Sequence, residues 1–478
     1  MRKVLVILVL GVLVLSSMPS SARAFGIDLE YTMIVENPES HKVQIELVVS
    51  NLSSSYLNLT FFRLFDFFPH EVTDFEALGE NEEILKVNFS EAEGQRFWKM
   101  NTSQNKKIKI TYTLNVSYYY DLSRDEGYRG YLGKEYGMSM GAWTFLAPTG
   151  SEINRIKINF NLPKGWRAIT PWKKSGRGYE TNDFEYFITS VWAIGRFDIY
   201  QRKVFETKVK IAIYEEWDDE LKNQIAEYSF KIFEYCRNLF GEPSVPYYVA
   251  VYVPSTHDGK NMSWIEWTQG QGLVINPKSE LINLVGEYAH RVFHTWNGWR
   301  KFGFSHGNKE FWFIEGMNIY YDWDRIPFDL GLDKSHSILK SYDYPTYLNK
   351  YYNTKWDVPV VDAWKFRRTE NNYVHLFLNY RKGALISFLL DCEIRERTNG
   401  EKNLNDLIGV MYSKYGKFGN VESGYYSIPP GTITKKLTNS MILEELNDLT
   451  KSDFSEFFND YIYGIKKLEL DKYFKDSD

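Results

Sequence analysis

Cysteine is nearly absent from this 478-residue chain, which holds only Cys236 and Cys392. Two thiols exclude a disulfide framework. Both lie in apolar stretches, FEYCRNLF and FLLDCEIRE, and so read as buried free thiols. An excess of charge is missing too. The 57 basic residues meet 62 acidic ones, a net charge of −5, which argues against a nucleic-acid or polybasic membrane-surface protein. Beyond the N-terminus no long apolar run occurs, so no membrane span is expected in the mature chain. What is present is ordinary globular composition, 44% hydrophobic and 25% charged, which excludes disorder, collagen and coiled coil. Aromatics reach 17%, enough for large mixed packing or for ligand clefts without deciding between them.

The N-terminus has the layout of an export signal. Arg2 and Lys3 precede an apolar run from Val4 to Leu15, and Ala22-Arg23-Ala24 supplies a small-x-small cleavage pattern. As a helix the run spans about 18 Å against a hydrocarbon core of about 30 Å. The expectation is a signal peptide over residues 1–24, cleaved after Ala24, and a secreted or cell-surface product; an uncleaved anchor is the alternative. Six N-x-S/T sequons, at Asn51, Asn58, Asn88, Asn101, Asn115 and Asn261, fit a glycoprotein, and five of them imply a solvent-facing N-terminal domain.

Up to about Phe205 the apolar period is two. HKVQIELVV, KIKITYTLNV, RIKINFNL and KVKIAIY alternate between turn-forming clusters, which predicts an antiparallel, sandwich-like β-domain over 25–205. After Trp217 the spacing changes to three and four. Leu221, Ile225, Ser229, Ile232, Cys236 and Phe240 share one helix face, stopped by Gly241-Glu242-Pro243. Strands Tyr247–Val253 and GLVINP follow, separated by a polar loop. A helix from Leu281 to Trp296 ends at an Asn297-Gly298 cap signal, and another surrounds Phe313–Tyr321. From Val374 onward the chain is mostly helical. The fold class is thus α+β, divided into 25–205, an α/β domain over 206–335 and a helical subdomain over 336–478.

Only eight histidines occur, and His290 and His294 lie four apart on one predicted helix, where both imidazoles share a face. Such a pair alone is weak. The second helix adds Glu315 in FWFIEG, and two histidines with a distant glutamate make a tetrahedral zinc site with one open position.

These segments resemble the glycyl aminopeptidase family of zinc metallopeptidases, within the gluzincin group and its thermolysin-like catalytic domain. HTWN, WFIEG with Tyr320-Tyr321, and Tyr380-Arg381-Lys382-Gly383-Ala384-Leu385 carry the resemblance. FLLDCEIRERTNG, LNDLIGVMYSKYG, LTKSDFSEFFNDYIYG and the upstream LPKGW extend it, in the right order, over about Leu162–Gly464. The resemblance implies one zinc ion held by His290, His294 and Glu315, with Tyr380 donating to the oxyanion of the tetrahedral intermediate. It implies a peptide or protein as substrate. The family's substrate loop corresponds to Ser263-Trp264-Ile265-Glu266-Trp267, with Ile265, Glu266 and Trp267 contacting substrate and Glu266 holding its free amine. Without the resemblance, Tyr380 is one packing tyrosine among 35 and Glu266 a solvated loop acid.

Several positions depart from the family's pattern at the chemistry: in the substrate loop Ser263 and Trp264 replace two glycines and Trp267 a histidine, and the metal helix departs as well. Where the family has His-Glu-x-x-His, this chain reads His290-Arg291-Val292-Phe293-His294. The glutamate is the general base that takes a proton from the attacking water, and arginine accepts none. At about 5 Å and an effective dielectric of about 20, Arg⁺ and Zn²⁺ repel by about 6–7 kcal/mol at most. Arg291 can pair with Glu287 one turn earlier, leaving a metal site without its base. Alternatively it reaches Glu315, a guanidinium replacing the metal. The functional expectation is an exported zinc aminopeptidase-like protein with impaired or absent hydrolysis; the alternative is an inactive module that binds peptides or a surface partner.

Overall fold

The computed structural model describes residues 26–61, 70–92, 95–103, 105–116, 130–241, 245–254, 262–267 (backbone only), 269–298, 302, 309–332, 336, 338–367, 369–416 and 437–475. The expected signal peptide and the sequon at Asn261 lie outside them.

The first half is β-rich, as its alternation predicts. Strands Ile27–Ile34 and Lys42–Ser50 pair antiparallel, and every second side chain is buried, Tyr31 and Leu47 completely. Lys107–Asn115 continues the sheet on the other side of Lys42–Ser50. Seven strands form this layer, and a four-stranded layer built from Tyr56–Thr60, Gln95–Asn101, Val87–Ala92 and Ala147–Pro148 faces it. Tyr112 and Tyr31 cross the core to donate to the Thr144 and Leu146 carbonyls at 2.9 and 2.7 Å. One pairing departs from the antiparallel expectation: Ile27–Ile34 runs parallel to Ile153–Asn161. Among the sequons, Asn51, Asn88 and Asn101 are exposed. Asn58 and Asn115 are partly buried, and the Asn58 amide donates to Thr149.

The second half is organised by a five-stranded mixed sheet. Its order is Phe197–Val204, Thr207–Tyr214, Tyr247–Pro254, Gly270–Ile275, Met262–Trp267. The three central strands are parallel and almost wholly buried, hence their unbroken apolar character. The polar loop expected between Tyr247–Val253 and GLVINP in fact contributes the antiparallel edge strand Met262–Trp267. Helix Asp219–Phe240 is capped by the Asp218 carboxylate, which accepts from the Glu220 and Leu221 amides, and ends at Gly241 with φ 80°. Its buried stripe packs on helix Leu281–His294. The described residues that follow are largely helical, including Asn372–Leu376, Gly383–Arg397, Leu404–Tyr415 and Asn439–Thr450. Cys236 and Cys392 are free thiols.

Candidate metal centre

Helix Leu281–His294 presents both histidines because of what its other face buries. Leu284, Val285, Tyr288, Ala289, Val292 and Phe293 point into the core, which leaves positions 287, 290, 291 and 294 toward the following helices. The helix stops at Thr295, two residues before the expected cap signal. The Asn297 amide still folds back onto the Phe293 carbonyl at 2.8 Å. Gly298 is required there, since a Cβ would meet the His294 carbonyl oxygen at 2.5 Å.

Glu315 and Tyr380 arrive on two widened helical turns, Trp312–Gly316 and Phe377–Lys382, in which amides bond five residues back. Such one-residue insertions rotate the side chains after them. The two helices cross at glycine on glycine: a Cβ on Gly316 would lie 2.5 Å from the Gly383 Cα. That close approach brings Glu315 and Tyr380 within interaction range.

The three candidate ligands converge. Donor atoms of His290, His294 and Glu315 all lie within 4.8 Å of one another. Glu315 Oε2 is 3.2 Å from His294 Nε2 and 3.9 Å from His290 Nε2. Around one zinc ion with bonds of about 2.0–2.1 Å, tetrahedral edges are about 3.3 Å, so these separations fit with little movement. The far sides of both rings are tied back. His290 Nδ1 is 2.5 Å from the fully buried Asp322 carboxylate, and His294 Nδ1 is 3.0 Å from the Asn297 carbonyl. Both partners accept, so each Nδ1 carries hydrogen and, in the neutral ring, each Nε2 lone pair faces Glu315. Asn318 fixes the backbone beside them by donating to the His290 carbonyl at 3.0 Å. Three acceptors aimed at one point suit a cation.

The surrounding charges show what the cluster does without a cation. Burial opposes ionisation of Glu315, but positive charge at His294, then at His290 and Arg291, outweighs it and holds the carboxyl at about 2. Burial would also discharge His290, yet Asp322, Glu315 and Glu287 raise its pKa. Arg291 sits among these groups. Burial lowers its pKa, while Glu315, Tyr380 and Asp322 favour its charge. Burial raises the Tyr380 phenol, and the Glu315 carboxylate raises it further. The charges acting on Arg291 thus come from the site and from Asp322 behind it.

Of the residues singled out from sequence, His290, Arg291, His294, Glu315 and Tyr380 come together. Ile265, Glu266 and Trp267 lie on the edge strand opposite Gly272, Gln271 and Gly270, beside helix Leu281–His294; their side chains are outside the described residues. Sequence reasoning missed Asp322, Asn318 and the glycine crossing. The signal existed: Glu315, Asn318 and Asp322 follow at i, i+3 and i+7, one helix face. It also missed buried Asp324, bonded to His336 at 2.7 Å, and buried Asp343, 3.6 Å from Arg381. The Tyr-x-Lys-Gly lysine, Lys382, is buried in a 2.9 Å pair with Asp357.

Comparisons with known proteins bear on the fold. Residues 30–195 match the Peptidase M61 N-terminal domain. No curated protein sequence matches the chain. Among solved structures, an aminopeptidase N family protein from Idiomarina loihiensis superposes with a TM-score of 0.72 at 17% identity, over 94% of this chain and 78% of that one. An M1 zinc metallopeptidase from Deinococcus radiodurans gives 0.53 at 9% identity, over 92% and 94%. Legionella pneumophila aminopeptidase A gives 0.52 at 12% identity, over 92% and 49%. The chain therefore has a peptidase-like α+β fold related to that of the zinc aminopeptidases. Among the described residues no helix is long and apolar enough to cross a membrane.

Proposed function

We propose that this chain is an exported, zinc-binding relative of the aminopeptidases whose hydrolysis of peptides is impaired or absent because Arg291 stands in the general-base position. The observation that carries the reading is the convergence of three acceptor atoms whose histidine rings are each held from behind. A zinc ion held by His290, His294 and Glu315 would supply Lewis-acid polarisation of a carbonyl and a more acidic water. The chain's own groups then divide the remaining work. Tyr380 donates its phenolic hydrogen to the developing oxyanion. Glu266 pairs with the substrate's α-amine, flanked by Ile265 and Trp267. Arg291 takes no proton from water, and loss of a general base lowers rates by about 10²–10⁴. Residues 1–24 act as the signal, 25–205 as the β-domain, whose last strand Phe197–Val204 joins the sheet of the next unit, 206–335 as the catalytic-type domain and 336–478 as the helical subdomain.

The test combines metal analysis with Arg291→Glu. Protein purified without added zinc should carry near-stoichiometric metal. The substitution replaces a repelling cation with an anion, so zinc affinity should rise several-fold, and turnover of peptides with small N-terminal residues should appear. Gain of zinc without turnover would favour the peptide-binding reading and locate the block on the Ser263–Trp267 strand. Failure of both proteins to bind zinc would sink the ligand set.

A further inference from the structure

A concave site lies where the seven-stranded layer meets the five-stranded sheet, and it shares no residue with the metal cluster. Its volume is about 650 Å³, within the ordinary range for small-ligand pockets. Five cations line it: Arg167, Lys174, Arg177, Lys208 and Lys210. Among the described residues lining it there is no carboxylate. Lys208 and Lys210 alternate onto one face of strand Thr207–Tyr214, whereas Lys174 and Arg177 come from the hairpin Lys173–Thr181 of the other layer. Two separate layers thus direct like charge into one cleft, an arrangement that raises the local concentration of anions.

Behind the cations, Thr170 and Trp172 are 1% and 2% exposed, and among the described residues their Oγ1 and Nε1 atoms have no hydrogen-bond partner. Indole nitrogen can only donate. Buried donors left unmatched are rare, so each asks for an explanation. Trp166, Tyr179 and Tyr247 line the same space and offer an apolar surface for a ring. Lys210 is the inner cation: its Nζ reaches the Thr170 carbonyl at 3.4 Å, and burial together with Lys208 and Lys174 holds it down at about 8.

We propose that this pocket binds a small organic anion bearing two or more tetrahedral oxyanion groups, phosphate or sulfate, recognised by the five cations. Guanidinium and ammonium groups form charge-assisted bonds to such oxygens, and the aromatic wall accepts the ring that carries them.

Isothermal titration of the full chain with inorganic pyrophosphate, and separately with a disulfated disaccharide, tests this. Saturable binding of either supports the proposal, and the tighter of the two identifies the source of the oxyanion. Lys174→Glu combined with Arg177→Glu, both exposed, should weaken binding at least tenfold. Lys86→Glu, exposed and outside the pocket, should leave it unchanged. Near pH 8 binding should draw a proton onto Lys210, so the measured heat should vary with the buffer's ionisation enthalpy, and Lys210→Met should abolish that variation. No saturable heat with either probe, or equal weakening by Lys86→Glu and the pocket pair, would overturn it. Zinc content should be the same in all these variants, which separates this outcome from any failure of the metal reading.

Discussion

Asp322 offers the sharpest check on the metal centre, because it touches a proposed ligand and nothing that would touch substrate. Its carboxylate holds His290 Nδ1 at 2.5 Å from a fully buried position. Asp322→Ala leaves that ring free to rotate and to place its hydrogen on Nε2, where it would block a metal. Loss of such an outer partner lowers metal affinity about 10–100-fold, or about 1.4–2.7 kcal/mol. Zinc competition against a chromophoric chelator at neutral pH would read it, with circular dichroism confirming the fold. Asp324→Ala is the matched control. That carboxylate is equally buried two residues along, but it bonds His336 rather than a ligand. It should destabilise the protein while leaving zinc affinity unchanged. Asp322→Asn should fall between, since an amide oxygen can still accept from Nδ1. Equal zinc affinity in the Asp322 and Asp324 alanine variants would refute the reasoning.

Two further outcomes follow from the buried charges around this centre. Asp343 is pushed up to about 6, first by burial and then by Asp324 and Asp322, with Arg381 opposing. A carboxyl whose folded value exceeds its unfolded value of about 3.9 favours folding in acid and loses that contribution as pH rises from about 4 through 6. Asp343→Asn should therefore stabilise the protein by about 2–3 kcal/mol at pH 7–8 relative to its effect at pH 4, in urea titrations at both pH values; an equal effect at both would contradict this. Lys382 and Asp357 are 1% and 3% exposed, so Lys382→Met strands a buried carboxylate and should cost about 3–5 kcal/mol. Adding Asp357→Leu should recover most of the lost melting temperature, and a harmless single substitution would show the pair is not desolvated.

Legibility followed the physics of each segment. Strands with one wet face, such as Lys42–Ser50, announce themselves by alternation, but alternation is the same for either strand direction. The parallel pairing of Ile27–Ile34 with Ile153–Asn161 was therefore invisible. Strand Met262–Trp267 was hidden by a register shift between Ser263 and Ile265, which breaks the period of two. Within the expected helical subdomain, the stretches Leu339–Tyr351 and Val360–Phe366 could not be placed one by one for a related reason. Widened turns and Pro345 and Pro359 interrupt the 3.6-residue repeat. The convergence of the two histidines was readable because His290 and His294 sit on a regular helix, where spacing translates directly into a shared face.

What sequence spacing could not convey is that the surroundings of the three ligands make demands of their own. Asp322 is completely buried with its Oδ1 unmatched among the described residues, and an unsatisfied buried acceptor costs about 1–3 kcal/mol. The Gly316–Gly383 crossing gives up two side chains in helix interiors, each glycine less favourable than alanine by about 1 kcal/mol. Neither feature improves packing by itself. Both make sense if the purpose of the crossing is to hold Glu315 against two imidazoles whose hydrogens are turned outward. Arg291 shares Glu315 with the two imidazoles, although its own burial opposes its charge. A cation shared by all three acceptors would satisfy every group that Asp322, Asn318 and the glycines position. On the proposed reading the arrangement is a metal centre with an altered base, and the Asp322→Ala comparison separates it from a scaffold in which a side chain has taken the metal's place, because only a metal centre has zinc affinity to lose.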